Sequence, residues 1–504
     1  MNARKSVITF VSQVLILPIG IISNKVVFTV LPPEEYGLFA YAVASSALFF
    51  LFGDLQLQLV YFKRIAEGQD LRRQFSTYMF LKIILTGVSL TGFAAYACYT
   101  LYASNSPDTR MLVILFIVML SYVADAYTAT LGVIFLARRE AGRSQLVAMV
   151  TAVFNLAYIA TLVYVTRSVY IFSMALLAKS LVGGAVSYYF VKDEILLFDF
   201  RYDRATLRDY LHFVGPLLPV TILGTLYDKL DTVLVKNFIS ISEAGYFAAA
   251  QKFNMLLLLP SASIMSILYS SFSKSAANKD FATVQNTSSK ATKYVSLIVT
   301  MLSIYIFFNT GDFIALFMSQ EYLPTAPIIK VFMIQVILMS VSRTMDSITL
   351  AAEKLKFVSL SASLLYVLGI VLNLVLIPSE VFGVSMFGLK GAGPAVKSLL
   401  IYVVAIVVNG VYLYSRLNIR IYWRFIYHLA AALGAGYLVG IAFTWNLASV
   451  ILKLTVKFVS YAAVYGGFMV ALREITMDDI RYLSQVLTPR VVVMSHEGNA
   501  VAPN

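Results

Sequence analysis

Long apolar runs alternate with short polar connections along the whole chain. Most runs exceed the roughly 20 residues that a helix needs to cross the hydrocarbon core of a bilayer. The pattern predicts fourteen membrane spans, at residues 6–31, 36–62, 75–103, 110–137, 144–166, 168–191, 210–238, 245–273, 289–309, 326–352, 357–378, 388–415, 421–444 and 447–471. The first run is too long for a signal-peptide core and lacks a small-residue cleavage site, so we expect it to remain as the first span.

Composition agrees with this pattern. Of the 504 residues, 60% are hydrophobic and 13% are charged, whereas a soluble domain carries about 25% charged residues. Too few charged side chains are present to cover a water-exposed surface. A secreted domain, a cytosolic enzyme and a single-span receptor are therefore excluded, and the sequence predicts an all-α polytopic membrane protein.

The distribution of lysine and arginine predicts the orientation. With the N-terminus inside, 25 basic residues fall in the inner connections and tail, and five fall in the outer connections. Cytoplasmic loops of membrane proteins carry this excess, and it accounts for most of the net charge of +13. Nucleic acid is therefore not expected as a partner, and the even number of spans places both termini in the cytoplasm.

Residues that carry catalytic or metal chemistry are sparse. The chain has one cysteine, Cys98, and three widely separated histidines. It contains neither a glycine-rich phosphate loop ending in Lys-Ser/Thr nor a His-Glu-x-x-His metal motif. We therefore expect no catalytic residues, no metal site, no ATP site and no bound cofactor.

An internal repeat divides the chain into halves. The sequence EYGLFAYA at residues 35–42 returns as EAGYFAAA at residues 243–250, with five of eight positions identical. Asn155 and Asn373 occupy corresponding places in the fifth and eleventh spans. Because six spans separate each pair, the halves have the same orientation in the bilayer, as in transporters with parallel repeats. The predicted organisation is an N-lobe at 1–195 (spans 1–6), a C-lobe at 196–415 (spans 7–12), two extra spans at 416–471 and a cytoplasmic tail at 472–504.

Several motifs, taken in order, resemble one transporter family. They are the repeated motif, the segment 210–250 with its LYDKLD core, LAAEKLK at 350–356, NLVLIP at 373–378, and GLKGAGPA at 388–395. In these motifs, over about 6–480, the chain resembles the polysaccharide-unit flippases of the multidrug/oligosaccharidyl-lipid/polysaccharide exporter superfamily. Pro394 and the long stretch 379–390 depart from the family pattern.

The resemblance implies both a fold and an activity. The implied fold has two lobes and about fourteen helices. The implied activity is the transfer of an undecaprenyl-pyrophosphate-linked oligosaccharide from the inner to the outer leaflet of the bacterial cytoplasmic membrane, by alternating access driven by an ion gradient or the membrane potential. The expected partners are this lipid-linked glycan, the bilayer, and other membrane proteins of polysaccharide assembly. The pathway stays open between O-antigen of lipopolysaccharide, capsule and exopolysaccharide.

Ionisable side chains within the predicted spans are the candidate site residues. Each costs about 2.5–3.5 kcal/mol at the bilayer centre on insertion scales, so it should be paired, face a cavity or reach the interface. Lysine ammonium groups attract a pyrophosphate, and carboxylates can hold a cation or proton. We expect substrate binding by Lys25, Lys229 and Lys252, and ion coupling by Asp54, Asp228 and Asp231. Arg343 and Asp346, three residues apart, are expected to form a structural ion pair.

Two other functions remain open at this point. A cation-coupled multidrug exporter of the same superfamily would have twelve spans and an acid-dominated cavity. A membrane glycan polymerase or ligase would need a sizeable outer loop with acidic, arginine or histidine groups, and the longest outer connection is about twenty residues.

Overall fold

The computed structural model describes residues 3–53, 55–103, 108–138, 140–195, 202–278, 280–443 and 449–476. Two candidate features, Asp54 and residues 477–504 of the predicted tail, lie outside these ranges. Elsewhere the chain is almost entirely helical. The predicted all-α polytopic fold is confirmed, since each of the fourteen predicted spans overlaps a helix.

The first half consists of eight helices in the described residues. They are α1 (Ala3–Val30), α2 (Pro33–Phe49), α3 (Leu57–Ala66), α4 (Leu71–Ala103), α5 (Thr109–Ala137), α6 (Ala141–Tyr158), α7 (Tyr164–Thr166) and α8 (Val169–Ile195). A π-helical turn, Ile159–Val163, joins α6 to α7. The predicted fifth span is therefore one helical rod with a local widening.

The second half begins with an amphipathic helix. Its helices are α9 (Arg204–Val214), α10 (Leu218–Phe238), α11 (Ile241–Ala277), α12 (Phe281–Phe308), α13 (Thr310–Phe317), α14 (Ala326–Ala351), α15 (Leu355–Leu376) and α16 (Gly393–Leu417). The last two helices are α17 (Phe425–Ala442) and α18 (Val450–Ala471).

Length and hydropathy identify twelve candidate membrane spans among the described residues. Two of the fourteen predicted spans are not among these twelve. The first corresponds to α1, whose described apolar segment, Leu15–Val30, is shorter than any of the twelve. The other corresponds to α11, a helix of 37 residues, of which some side chains lie outside the described set. The chain is a multi-pass membrane protein.

The second predicted span differs most from the sequence prediction. Instead of one helix over 36–62, a 3₁₀ turn at Phe50–Gly53 ends α2, and α3 starts at Leu57. Leu55 and Gln56 adopt positive φ angles of 42° and 63°, which a continuing α-helix does not allow. Apolar content alone cannot reveal such a break.

The connection between the halves is fixed to the first half by charged contacts. Asp203 caps α9 by accepting a hydrogen bond from the Thr206 N–H at 2.6 Å, and it accepts another from Arg73 at 2.6 Å. In the middle of α9, Asp209 accepts two hydrogen bonds from Arg64, each of 2.7 Å. The acids of α9 therefore face the first half, while Arg204 and Arg208 are exposed.

The two halves also meet at the ends of helices that the charge pattern places outside. Here α2 packs against α11 along the two copies of the repeated motif. Tyr322, after α13, donates a hydrogen bond of 3.0 Å to the Leu31 carbonyl. Its ring lies 5.4 Å from that of Phe28 in α1, and the Ser319 N–H donates to the Phe28 carbonyl at 3.1 Å. We call this set of contacts the outer contact.

A two-stranded hairpin follows α15, in the stretch that departs from the family pattern. Its strands are β1 (Glu380–Val381) and β2 (Val384–Ser385), paired antiparallel. Phe382 and Gly383 at its tip have φ angles of 50° and 80°, and two positive φ angles in succession are typical of the tight two-residue turn.

By contacts, residues 1–422 form one unit and residues 423–504 another. Within the second unit, α17 and the end of α18 are joined by a buried carboxylate. Glu474 forms an ion pair of 2.6 Å with Arg424 Nε and lies 3.3 Å from His428 Nε2.

Candidate functional site

The charged core of the LYDKLD segment lies on α10, which crosses the predicted membrane region. Asp228 and Lys229 form an ion pair of 2.6 Å, and their side chains are 55% and 33% exposed. Two consecutive charged residues of a membrane helix are thus accessible rather than packed into the core. Because lipid would penalise such exposure, the arrangement indicates a polar path beside α10.

Helices of both halves approach Asp228. Asp228 lies on α10, which packs against α2 of the first half and α15 of the second. The exposed Asp228 is therefore carried by a helix that contacts both halves. That Asp228 faces a central cavity stays a prediction from the sequence.

Asp231 has a different environment, although it lies one turn from Asp228 on the same helix. It is 4% exposed and forms an ion pair of 2.6 Å with Lys397 of α16, which is wholly buried. Asn373 of α15 donates to the same carboxylate oxygen at 2.8 Å. The Lys397 ammonium also donates to the Tyr227 carbonyl at 3.3 Å and lies 3.8 Å from the centroid of the Tyr227 ring.

This buried cluster of Tyr227, Asp231, Asn373 and Lys397 joins three helices of the second half. A buried charge pair is stable only when both charges are compensated. Binding of a proton or cation at Asp231 would therefore compete with the charge of Lys397. The sequence identifies Asp231 and Asn373 but leaves Lys397 unassigned, because its partner is 166 residues away and no local motif marks the pair.

The other two predicted phosphate-binding lysines have surroundings unlike those of Lys397. Lys25 on α1 is exposed and Lys252 on α11 is partly buried. Neither makes an ion pair within the part of the chain that the structure describes, in contrast to Lys397. The structure records no contact between Lys25 and Lys252, and the remaining predicted residue, Asp54, lies outside the described residues.

On α14, the carboxylate of Asp346 is bound by an amide and not by the predicted arginine. Asp346 Oδ1 accepts a hydrogen bond of 2.8 Å from Asn409 Nδ2. Arg343 is exposed, and the expected ion pair between it and Asp346 is absent among the described contacts. Spacing placed both on one face of α14, but the partner that reaches Asp346 comes from α16.

Comparison with known proteins places this arrangement in a family. The family model described as "polysaccharide biosynthesis protein" matches residues 3–276, which is more than half of the chain. Curated proteins gave no match to the sequence.

Solved structures of similar fold are transporters. The inward closed conformation of the lipid II flippase MurJ superposes with a TM-score of 0.71 at 14% identity, covering 94% of this chain and 100% of that one. An inward-facing multidrug resistance MATE family transporter of the MOP superfamily gives 0.64 at 11% identity, covering 80% of this chain and 95% of its own. An outward-facing one gives 0.55 at 13% identity, covering 82% and 93%.

At these identities the likeness establishes the fold alone, which this chain shares with the lipid II flippase MurJ and with MATE family transporters. Together with the match over residues 3–276, it confirms the resemblance found in the motifs. The chain belongs to the polysaccharide biosynthesis protein family.

Proposed function

We propose that this protein is a flippase that moves an undecaprenyl-pyrophosphate-linked oligosaccharide from the inner to the outer leaflet of the bacterial cytoplasmic membrane. It acts as a carrier and not as an enzyme, with both termini in the cytoplasm. The glycan is a repeat unit of a surface polysaccharide, such as O-antigen, capsule or exopolysaccharide.

One observation carries the choice between flippase and drug exporter. The lipid II flippase covers 94% of this chain, whereas the two MATE transporters cover 80% and 82%. The flippase therefore matches a larger part of the chain, and the family model is one of polysaccharide biosynthesis. These observations favour a lipid-linked glycan over a cationic drug as the cargo.

The predicted phosphate-binding lysines support capture of a pyrophosphate. Lys25 and Lys252 have no ion-pair partner among the described residues, and Lys229 is partly exposed beside Asp228. An ammonium group of low hydration in a membrane cavity attracts a phosphate more strongly than one in water does. In this proposal the lysines hold the pyrophosphate, the glycan occupies the polar space between the halves, and the prenyl tail stays in lipid.

The outer contact supports entry of substrate from the cytoplasmic side. Hydrogen bonds from Tyr322 and Ser319 and the packing of α2 on α11 tie the halves together at the predicted outer ends. Release to the outer leaflet then requires these contacts to separate. The cycle therefore alternates between the closed outer contact and a state in which it is open.

The buried cluster of α10, α15 and α16 is the proposed coupling site. Protonation of Asp231, or its exchange of Lys397 for a cation, would release the contact between α10 and α16. Such a two-state element can bias the halves toward one conformation. Asp228 and Asp54 remain candidates for the same role, with the Asp228 side chain exposed.

A deletion strain tests the function. Undecaprenyl-pyrophosphate-linked oligosaccharide should accumulate in the inner leaflet of the deletion strain, and the wild-type gene should clear it and restore the surface polymer. The polymer that is lost identifies the pathway. Normal export together with hypersensitivity to cationic drugs would instead assign the protein to the drug exporters.

A further inference from the structure

A polar cavity of about 590 Å³ lies at the predicted outer ends of the helices, away from the charged residues of α10. Its walls come from the end of α1 and the start of α2, the start of α5, the turn between α7 and α8, and the segment after α13. Only the last of these, the segment after α13, belongs to the second half; all the others belong to the first. Its volume falls in the range of about 300–1,000 Å³ that is typical of small-ligand sites.

Charged groups in this cavity have unused binding capacity. Arg110 forms an ion pair with Glu35 through Oε1, while the buried Oε2 of Glu35 has no hydrogen-bond partner among the described residues. The Glu35 side chain as a whole is 20% exposed, and a carboxylate can accept several hydrogen bonds, so a ligand hydroxyl can bind to its accessible part beside Arg110.

Arg167 adds a positively charged hydrogen-bond donor to the cavity. It ends α7 in a left-handed conformation with φ of 49°, and its exposed guanidinium makes no ion pair within the described ranges of the chain. A guanidinium presents a planar fork of N–H donors that matches a carboxylate or phosphate. The cavity thus offers a free acceptor at Glu35 and a free oxyanion receptor at Arg167.

Hydroxyl groups line the space between these two. Thr29 and Thr166 each donate to a carbonyl of their own helix, at 2.8 and 2.7 Å. Their oxygen lone pairs therefore remain available as acceptors. Ser168, Ser319 and Tyr170 complete the polar lining, and mixed donors and acceptors of this kind suit a ligand that carries many hydroxyls.

We propose that this cavity is an exit subsite that binds a short stretch of glycan on the outer side, with sugar hydroxyls at Glu35 and an oxyanion at Arg167. The inference rests on the proposed flippase function. The oxyanion has two sources, the carboxylate of an acidic sugar or the phosphate at the reducing end of the glycan. Because Ser319 and the neighbouring Glu321 come from the second half, opening the outer contact changes the cavity, so its affinity depends on the conformation of the halves.

Binding of soluble probes to the purified full chain in nanodiscs tests the site, in a Lys25→Ala/Lys252→Ala background that removes the proposed pyrophosphate-binding lysines. The probes are hyaluronan tetrasaccharide, which carries carboxylates, glucose 1-phosphate, neutral maltotetraose and inorganic pyrophosphate. We expect one of the first two to bind more tightly than maltotetraose and pyrophosphate. A preference for hyaluronan assigns the oxyanion to an acidic sugar, and a preference for glucose 1-phosphate assigns it to the phosphate end.

Variants locate the binding. Arg167→Ala should weaken the preferred probe by about 10- to 100-fold, as expected for one hydrogen-bonded charge pair, and Arg167→Lys should weaken it less. Lys390→Ala, at another exposed basic residue of the predicted outer side, should leave it unchanged. Size-exclusion profiles establish that each variant is folded.

The proposal is overturned if adding Arg167→Ala to this background leaves the affinity unchanged, or if Lys390→Ala causes the same loss. If pyrophosphate binds as tightly as the preferred probe, the sugar hydroxyls contribute nothing to binding. If maltotetraose binds as tightly, Arg167 contributes nothing. Either result also overturns the proposal. Clearance of lipid-linked glycan by the wild type in the deletion strain is measured separately. Failure of this subsite and failure of the flippase function are therefore distinguishable.

Discussion

Gly37 of α2 and Gly245 of α11 meet at the outer contact, each against the backbone of the other helix. A side chain on Gly37 would collide with the Ile241 carbonyl, and one on Gly245 would collide with the Pro33 carbonyl. The two glycines are 208 residues apart, and so are Pro33 and Ile241. The repeated motif thus packs against itself about a pseudo-twofold axis, and its glycines permit the close approach.

Gly37→Ala and Gly245→Ala should each weaken the outer contact. The added methyl group meets main-chain atoms, which cannot rotate away, so we expect a cost of about 1–3 kcal/mol, as for other overpacked sites. Thermal unfolding of the purified protein measures the loss. Gly132→Ala is the matched control because a side chain there meets no atom within 4 Å, and helix propensity favours alanine by about 0.5–1 kcal/mol. Equal melting temperatures of Gly37→Ala and Gly132→Ala would contradict the close approach of the two helices.

Lys397→Met should be strongly destabilising. It leaves the Asp231 carboxylate buried without its cation, and removal of one partner of a buried ion pair costs about 3–5 kcal/mol. Asp231→Asn combined with Lys397→Met removes both charges and should recover most of the melting temperature. Lys390→Met serves as an exposed control.

The double variant also separates structure from coupling. If the pair drives transport, the double variant folds but does not restore polymer export. If it restores export fully, Asp231 is a structural residue and the proposed coupling site is wrong.

Lys25→Ala combined with Lys252→Ala should abolish polymer export without lowering the amount of protein in the membrane. Both ammonium groups lack ion-pair partners among the described residues, so their removal leaves no buried carboxylate uncompensated. Complementation of the deletion strain and immunoblotting of membranes measure the two effects. Lys354→Ala, at an exposed residue before α15, should export normally. Full export by the double variant would refute the assignment of the phosphate-binding residues.

The capping residue Asp203 should make the attachment of α9 sensitive to acid. Hydrogen bonds from Arg73 and the Thr206 N–H hold the pKa of the Asp203 carboxyl at about 2, below its ordinary value of 3.8. The folded-state pKa is the lower one, so this contribution to stability is present above about pH 4 and is lost as pH falls toward 2. Between pH 6 and pH 3, the melting temperature of Asp203→Asn should fall less than that of the wild type. Glu353→Gln, at an exposed carboxylate, should follow the wild type, and parallel curves for Asp203→Asn and wild type would contradict the prediction.

Residues on the two sides of α15 should label from opposite faces of the membrane. In a Cys98→Ser background, Ser385→Cys in the hairpin should react with a membrane-impermeant maleimide in intact cells. Lys354→Cys at the other end of α15 should react only after the inner membrane is permeabilised. Both positions are exposed, so a difference reports sidedness. Reversed labelling would invert the predicted topology.

Sequence alone determined that this protein is an all-α, multi-pass membrane protein, and it located the repeated motif. Apolar runs of membrane length leave few alternatives, because every backbone polar group in lipid must be paired within a helix or closed barrel. The motif around Gly37 and Gly245 revealed the relation between the halves for a similar reason, since close backbone contacts restrict residue type. Local spacing also placed Asp228, Lys229 and Asp231 together on α10.

Tertiary structure decided which of these charges are free and which are paired. Asp228 and Asp231 lie one turn apart and look equivalent in sequence, yet one is exposed and the other is buried against Lys397. Likewise, the break after α2 depends on helices distant in sequence. So does the pairing of Asp346 with Asn409 and not with the predicted Arg343. The environment of a charge is set by every helix packed around it, and a local pattern on one helix contains no information about the others.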